Sequence, residues 1–173
     1  MTEIYREQDE GWERTSDGFG WRYILTRPLV HATEIAPPKV CPFRNAWLDI
    51  SIVFAGEAVG DAPLIVQITV ADPYAFDACT GVPDFHGTVL AAGLHDPIYQ
   101  FAEEIVRAWW PHAHGIEFAY RVWQVLRWGD RIFLQRMRRD GAKKWVQDLY
   151  YLGVTCLGFA FHVAVRWGKR LFR

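Results

Sequence analysis

The chain is poor in cysteine. Only Cys41, Cys79 and Cys156 occur in 173 residues. Their odd number and wide spacing exclude a disulfide framework and a zinc knuckle, and reduced thiols in a cytoplasm are expected. Residues 1–7 (MTEIYRE) hold no apolar core, so no secretory signal peptide is expected. There is no internal repeat and no low-complexity tract, which argues against solenoids and long linkers.

Net charge is nearly absent as well, at −1. That balance hides an asymmetry. Residues 1–100 carry 6 basic and 14 acidic side chains, whereas residues 101–173 carry 13 basic and 6 acidic ones. Two halves of opposite sign attract when packed as one domain, and internal neutralisation is the simplest expectation. Long apolar runs are confined to residues 149–165, 17 positions without a formal charge. That length sits near the lower limit for a membrane span. However, Asp148, Thr155, His162 and Lys169 recur every seven residues and draw one polar stripe along a helix. A buried core helix is therefore expected. Membrane contact through this C-terminal helix, with its basic tail of Arg166, Lys169, Arg170 and Arg173, is the alternative.

What the chain has in abundance is apolar and aromatic surface: 51% hydrophobic, 16% aromatic, nine Trp. This suffices for one domain with a core. Residues 1–18 read as a flexible polar arm, and residues 19–173 as a single domain. Residues 19–30 suit a strand, with Pro28 near its end. Ala36-Pro37-Pro38 and Pro42 suit a stiff, extended connection. Residues 46–55 alternate, placing Leu48, Ile50, Ile52 and Phe54 on one face. Residues 64–70 (LIVQITV) are dense in β-branched side chains. From residue 84 to 170 the pattern is helical, with a break or bend expected at Pro97, a break at 111–115, and a stop at Asp140-Gly141. The expected fold is α+β: a small antiparallel sheet over residues 19–70, then a bundle of three or four helices.

Candidate chemistry gathers at residues 94–99 (LHDPIY). His95 and Tyr99 lie four apart, on one face of a helix. Asp130 is an isolated acid in a basic, aromatic helical stretch. A His–Tyr–Asp network orients an imidazole as a general base; the commoner use of such a network is a buried hydrogen-bonded hub. Asp96, pointing elsewhere, is a candidate ligand for a hard cation with loop carbonyls near Thr80 and Gly81. His112 and His114 lack a third ligand and read as an exposed loop. Arg127, Arg131, Arg138 and Lys143 are candidate phosphate contacts beside Trp123, Trp128 and Trp145.

Four motifs then stand in order. Residues 68–83 resemble a strand and a tDxxSxP-type loop, with Thr80 and one extra residue where Ser-x-Pro is expected. Residues 91–99 resemble AALxHDxxY, residues 129–137 resemble ADxxFxxxM, and residues 164–168 resemble a closing xVRxFG. Together they resemble a family of small phage and prophage proteins known only as a domain of unknown function, over residues 64–170. A fainter similarity is to the His-Asp class of phospholipase A enzymes, without that class's disulfides or glycine-rich calcium loop. That similarity implies His95 as the base that activates water and Asp130 as the residue that orients it. It also implies that Tyr99 bonds Asp130, and that Asp96, Thr80 and Gly81 hold calcium.

Three functions follow as expectations. The first is a non-enzymatic phage or prophage protein, a virion component or host-interaction factor acting through protein contacts or self-association, with no cofactor. It would be made in the cytoplasm and then built into a virion. The second is a calcium-assisted acyl-ester hydrolase. The third, ranked last, is a nucleic-acid-binding accessory protein.

Overall fold

The computed structural model describes residues 5–7, 12–16, 21–54, 64–76 and 87–156. Within them the chain is α+β, with antiparallel sheets first and helices after. One four-stranded sheet joins β1 (Tyr5–Glu7), β2 (Trp12–Ser16) and β3 (Trp21–Leu25) to β8 (Ala75–Phe76), in the order β1-β2-β3-β8. The second joins β4 (Leu29–Thr33), β5 (Phe43–Arg44), β6 (Leu48–Phe54) and β7 (Leu64–Val70), in the order β4-β7-β6-β5.

Two sheets replace the one expected, and the division falls at Pro28. A proline has no N–H for a ladder, and the strands on either side of it enter different sheets. Residues 5–7 and 12–16, expected in a polar arm, are strands. The register runs from Trp12↔Leu25 to Ser16↔Trp21. The Trp12 indole is buried edge-on against Tyr23, with ring centroids 4.9 Å apart. Burial of that one large ring ties the segment down despite its charge. β7 is the centre of the second sheet, and Val66, Ile68 and Val70 on one face are buried. Leu48 and Ile50 of β6 join them, as the alternation implied.

The helices are α1 (Val89–Gln100), α2 (Ala102–Trp109), α3 (Gly115–Arg139) and α4, which spans 144 to the last described residue, 156. Pro97 does not break α1; it sits buried inside it. The ring removes only the bond to the Gly93 carbonyl. The break comes at Phe101, between α1 and α2, where Phe101 N–H still donates to the Pro97 carbonyl at 2.9 Å. Gly93 also lets the sheets approach: a Cβ there would stand 3.2 Å from the Phe76 ring and 3.3 Å from Leu29 Cδ2. α3 ends as its sequence predicts. Gly141 adopts φ +76°, Ala142 N–H reaches the Met137 carbonyl at 3.0 Å and Gly141 N–H the Arg138 carbonyl at 3.2 Å. This is a Schellman closure, which turns the chain back along α3. Among the described residues no helix is long and apolar enough to cross a membrane; residues 157–165 of the apolar stretch lie outside them.

α1 and α3 pack where Gly129 faces Ile98. A Cβ on Gly129 would meet Ile98 Cγ2 at 3.1 Å and Tyr99 Cδ2 at 3.7 Å. The missing side chain therefore sets how close the two helices lie. Gly129→Val is expected to lower the free energy of unfolding by roughly 1–3 kcal/mol, the usual cost of overpacking, as measured by urea denaturation.

Candidate active site

The close approach at Gly129 places the neighbouring residue, Asp130, inside the α1–α3 contact. Its side chain is 1% exposed. A buried carboxylate must be hydrogen-bonded or paired, and three groups supply this. Tyr99 Oη donates to Oδ1 at 2.6 Å. His95 Nε2 lies 3.3 Å from the same oxygen. Arg127 Nη1 donates to Oδ2 at 3.3 Å. The same Arg127 nitrogen donates to the Thr155 carbonyl at 3.4 Å, so α4 is tied to the cluster.

His95 and Tyr99, one helical turn apart on α1, lie with ring centroids 4.0 Å apart. Phe133, one turn after Asp130, flanks the imidazole at 5.2 Å. The other ring nitrogen, Nδ1, lies 3.2 Å from Asp96 Oδ1. The ring thus stands between two carboxylates of different character. Asp130 is buried, whereas the Asp96 side chain is 30% exposed.

Burial disfavours a charged His95, but the hydrogen bonds and charges of Asp130 and Asp96 outweigh it, so its pKa is raised above 6.5. The geometry gives the reason. An imidazolium donates from both nitrogens, one to each carboxylate. A neutral ring has one N–H and must turn a lone pair toward the other carboxylate. The Tyr99 phenol is pushed strongly upward by burial and by the charge and hydrogen bond of Asp130, so it remains a donor. A second buried histidine, His31 on β4, behaves oppositely. Burial lowers its pKa, against the hydrogen bond its Nε2 makes with Gln135 Oε1 at 3.1 Å.

The structure therefore brings His95, Asp96, Tyr99 and Asp130 together around one ring. Thr80 and Gly81 lie outside the described residues, as does Cys79. A hard cation such as calcium takes six to eight oxygen ligands. The described residues supply the Asp96 carboxylate beside His95, and among them no group of three or more His, Cys, Asp or Glu side chains is placed to hold a metal. They do not by themselves make a calcium site. Arg131, Arg138 and Lys143 are exposed, but Arg127 is turned to Asp130 and Thr155. Of these four cations, Arg127 alone has a side-chain bond among the described residues, to Asp130, and its side chain is still a third exposed. His112 and His114 are exposed, and His114 Nδ1 bonds the His112 carbonyl.

Sequence reasoning missed the partnership of Arg127 with Asp130. Its signal was available in the i, i+3 spacing of opposite charges on a helix. Phe133 stood in the ADxxFxxxM-like motif but without a link to His95, and the role of the Thr155 carbonyl had no local signal. Comparison with protein-family models, with curated proteins and with solved structures returns no match for this chain.

The pH dependence of stability follows from the two histidines. The stabilisation from His95, whose pKa is raised on folding, is fully present below about pH 6.5 and lost as pH rises through the raised value. His31, lowered on folding, favours the fold above about pH 6.5 and ceases to do so as pH falls through its depressed value. In an NMR titration His95 is expected to titrate above 6.5 and His31 below it. His95→Gln is expected to destabilise more at pH 6 than at pH 9 by urea denaturation.

Proposed function

We propose that the chain is an acyl-ester hydrolase with His95 as general base. The observation that carries this reading is the shared Asp130 oxygen, held by Tyr99 at 2.6 Å and lying 3.3 Å from His95 Nε2. An Nε2–H donated to a buried carboxylate leaves the Nδ1 lone pair as the basic position. That edge faces Asp96, whose side chain is 30% exposed against 10% for His95; in this reading a water takes the place of Asp96 Oδ1, 3.2 Å from Nδ1.

The step is a water attack on an ester carbonyl. Nδ1 takes a proton from the water as its oxygen bonds to the acyl carbon. The imidazolium so formed is stabilised by Asp130 and Asp96. It then returns the proton to the leaving alkoxide as the acyl C–O bond breaks, giving an acid and an alcohol. General-base assistance of this kind contributes roughly 100- to 10,000-fold. A cation on Asp96 would supply electrophilic help at the carbonyl oxygen, and no step here is derived through it.

A second reading is a non-enzymatic phage or prophage protein acting through protein contacts. One observation favours it: Ile116, Tyr120 and Trp123 form an exposed stripe at helical spacing on α3, with Ile116 91% exposed. In that reading the His95 cluster only fixes the packing of α1 on α3.

The test uses p-nitrophenyl acyl esters of graded chain length and mixed phospholipid vesicles, with calcium and with chelator. Wild type is expected to release product, with an acid limb whose midpoint lies above pH 6.5. His95→Ala is expected to fall by about 100-fold or more. Folded wild type that cleaves neither substrate under either condition ends the hydrolase reading and leaves the contact reading standing.

A further inference from the structure

We propose that Arg127 is a positioning residue for His95, acting through Asp130 and anchored by α4. This rests on the reading of His95 as a base. Three observations carry it. First, Arg127 Nη1 takes Asp130 Oδ2, which leaves Oδ1 to Tyr99 and His95. A carboxylate with one oxygen occupied cannot swing that oxygen toward the imidazole, so the geometry of the His95 bond is set from the opposite side. Second, the guanidinium stands against the negative charge of Asp130, the buried carboxylate that flanks His95. Third, the same nitrogen is held by the Thr155 carbonyl, so the position of α4 enters the site through Arg127. Arg127 is a third exposed at its side chain, and this screens its pair with Asp130 without removing it.

Among the described residues, the charged and titratable groups placed against His95 are Asp96 and Tyr99 from its own helix and Asp130 from α3, with Arg127 behind Asp130. Phe133 contributes an apolar wall, and α4 contributes Tyr150 behind that wall, 6.4 Å from the Phe133 ring. Arg127 sets a positive charge against Asp130, so its removal leaves the imidazolium facing a carboxylate that has lost that partner.

The experiment follows the His95 ring proton by NMR across pH in wild type, Arg127→Gln and Arg127→Lys, independently of any substrate. Arg127→Gln is expected to move the His95 midpoint upward by about half a pH unit or more, since a nearby charge of this kind shifts a pKa on that scale. Arg127→Lys, which keeps the charge, is expected to stay near wild type. Where activity is found, the acid limb of kcat/KM in Arg127→Gln is expected to move upward by the same amount, and Arg127→Lys to restore it. A purely structural role for Arg127 would lower stability without moving the His95 midpoint. An unchanged or lowered midpoint in folded Arg127→Gln overturns the proposal. Should the glutamine variant fail to fold, Arg127→Met takes its place: an upward-shifted His95 midpoint supports the proposal, and a wild-type or lowered midpoint overturns it. Absent activity alongside a shifted midpoint contradicts the hydrolase reading and leaves the positioning intact.

Discussion

A carboxylate that is nearly sealed from water constrains the helical half of this protein. Asp130 is buried between α1 and α3, and an unpaired charge there costs several kcal/mol. Removal of any one partner leaves the rest of the cost standing. The surrounding sequence is arranged around this constraint. Gly129 lets α1 come near enough for Tyr99 to reach. The helical turn between His95 and Tyr99 sets both on the same oxygen. Arg127, one turn before Asp130, closes the other oxygen and reaches α4. Pro97, placed between the two ring-bearing residues, is absorbed into α1.

This arrangement explains why a structural hub and a base use the same residues. A buried carboxylate that orients an imidazole stiffens the packing of two helices. The same pairing fixes the tautomer and leaves one ring nitrogen basic. The two uses differ in what the second nitrogen meets. In this chain it meets Asp96, whose side chain is 30% exposed against 1% for Asp130.

Much of the fold was legible because local signals were strong. Alternation gave β6, β-branched density gave β7, and Asp140-Gly141 gave the end of α3. The first sheet was not legible as a sheet. Its strands β1 and β2 are charged, and they are held by the Trp12–Tyr23 contact, which no local pattern encodes. Pro97 misled because a propensity against helix was overridden by burial in α1. The four residues of the site were legible through spacing and resemblance, but their distances were not. Helical register sets which face Asp130 takes; only the Gly129–Ile98 approach sets how near His95 it lies. Arg127 was read as a phosphate contact because its charge was visible and its partner, three residues on, was weighed only against His95 and Tyr99.

The central claim is that Asp130 holds the Nε2–H tautomer of His95, leaving Nδ1 as the base. Nitrogen-15 NMR of the imidazole, taken well above the His95 midpoint, measures this directly. The account predicts a protonated Nε2 and a bare Nδ1. A ring protonated on Nδ1, donating to Asp96 and presenting its lone pair to the buried Asp130, would contradict it.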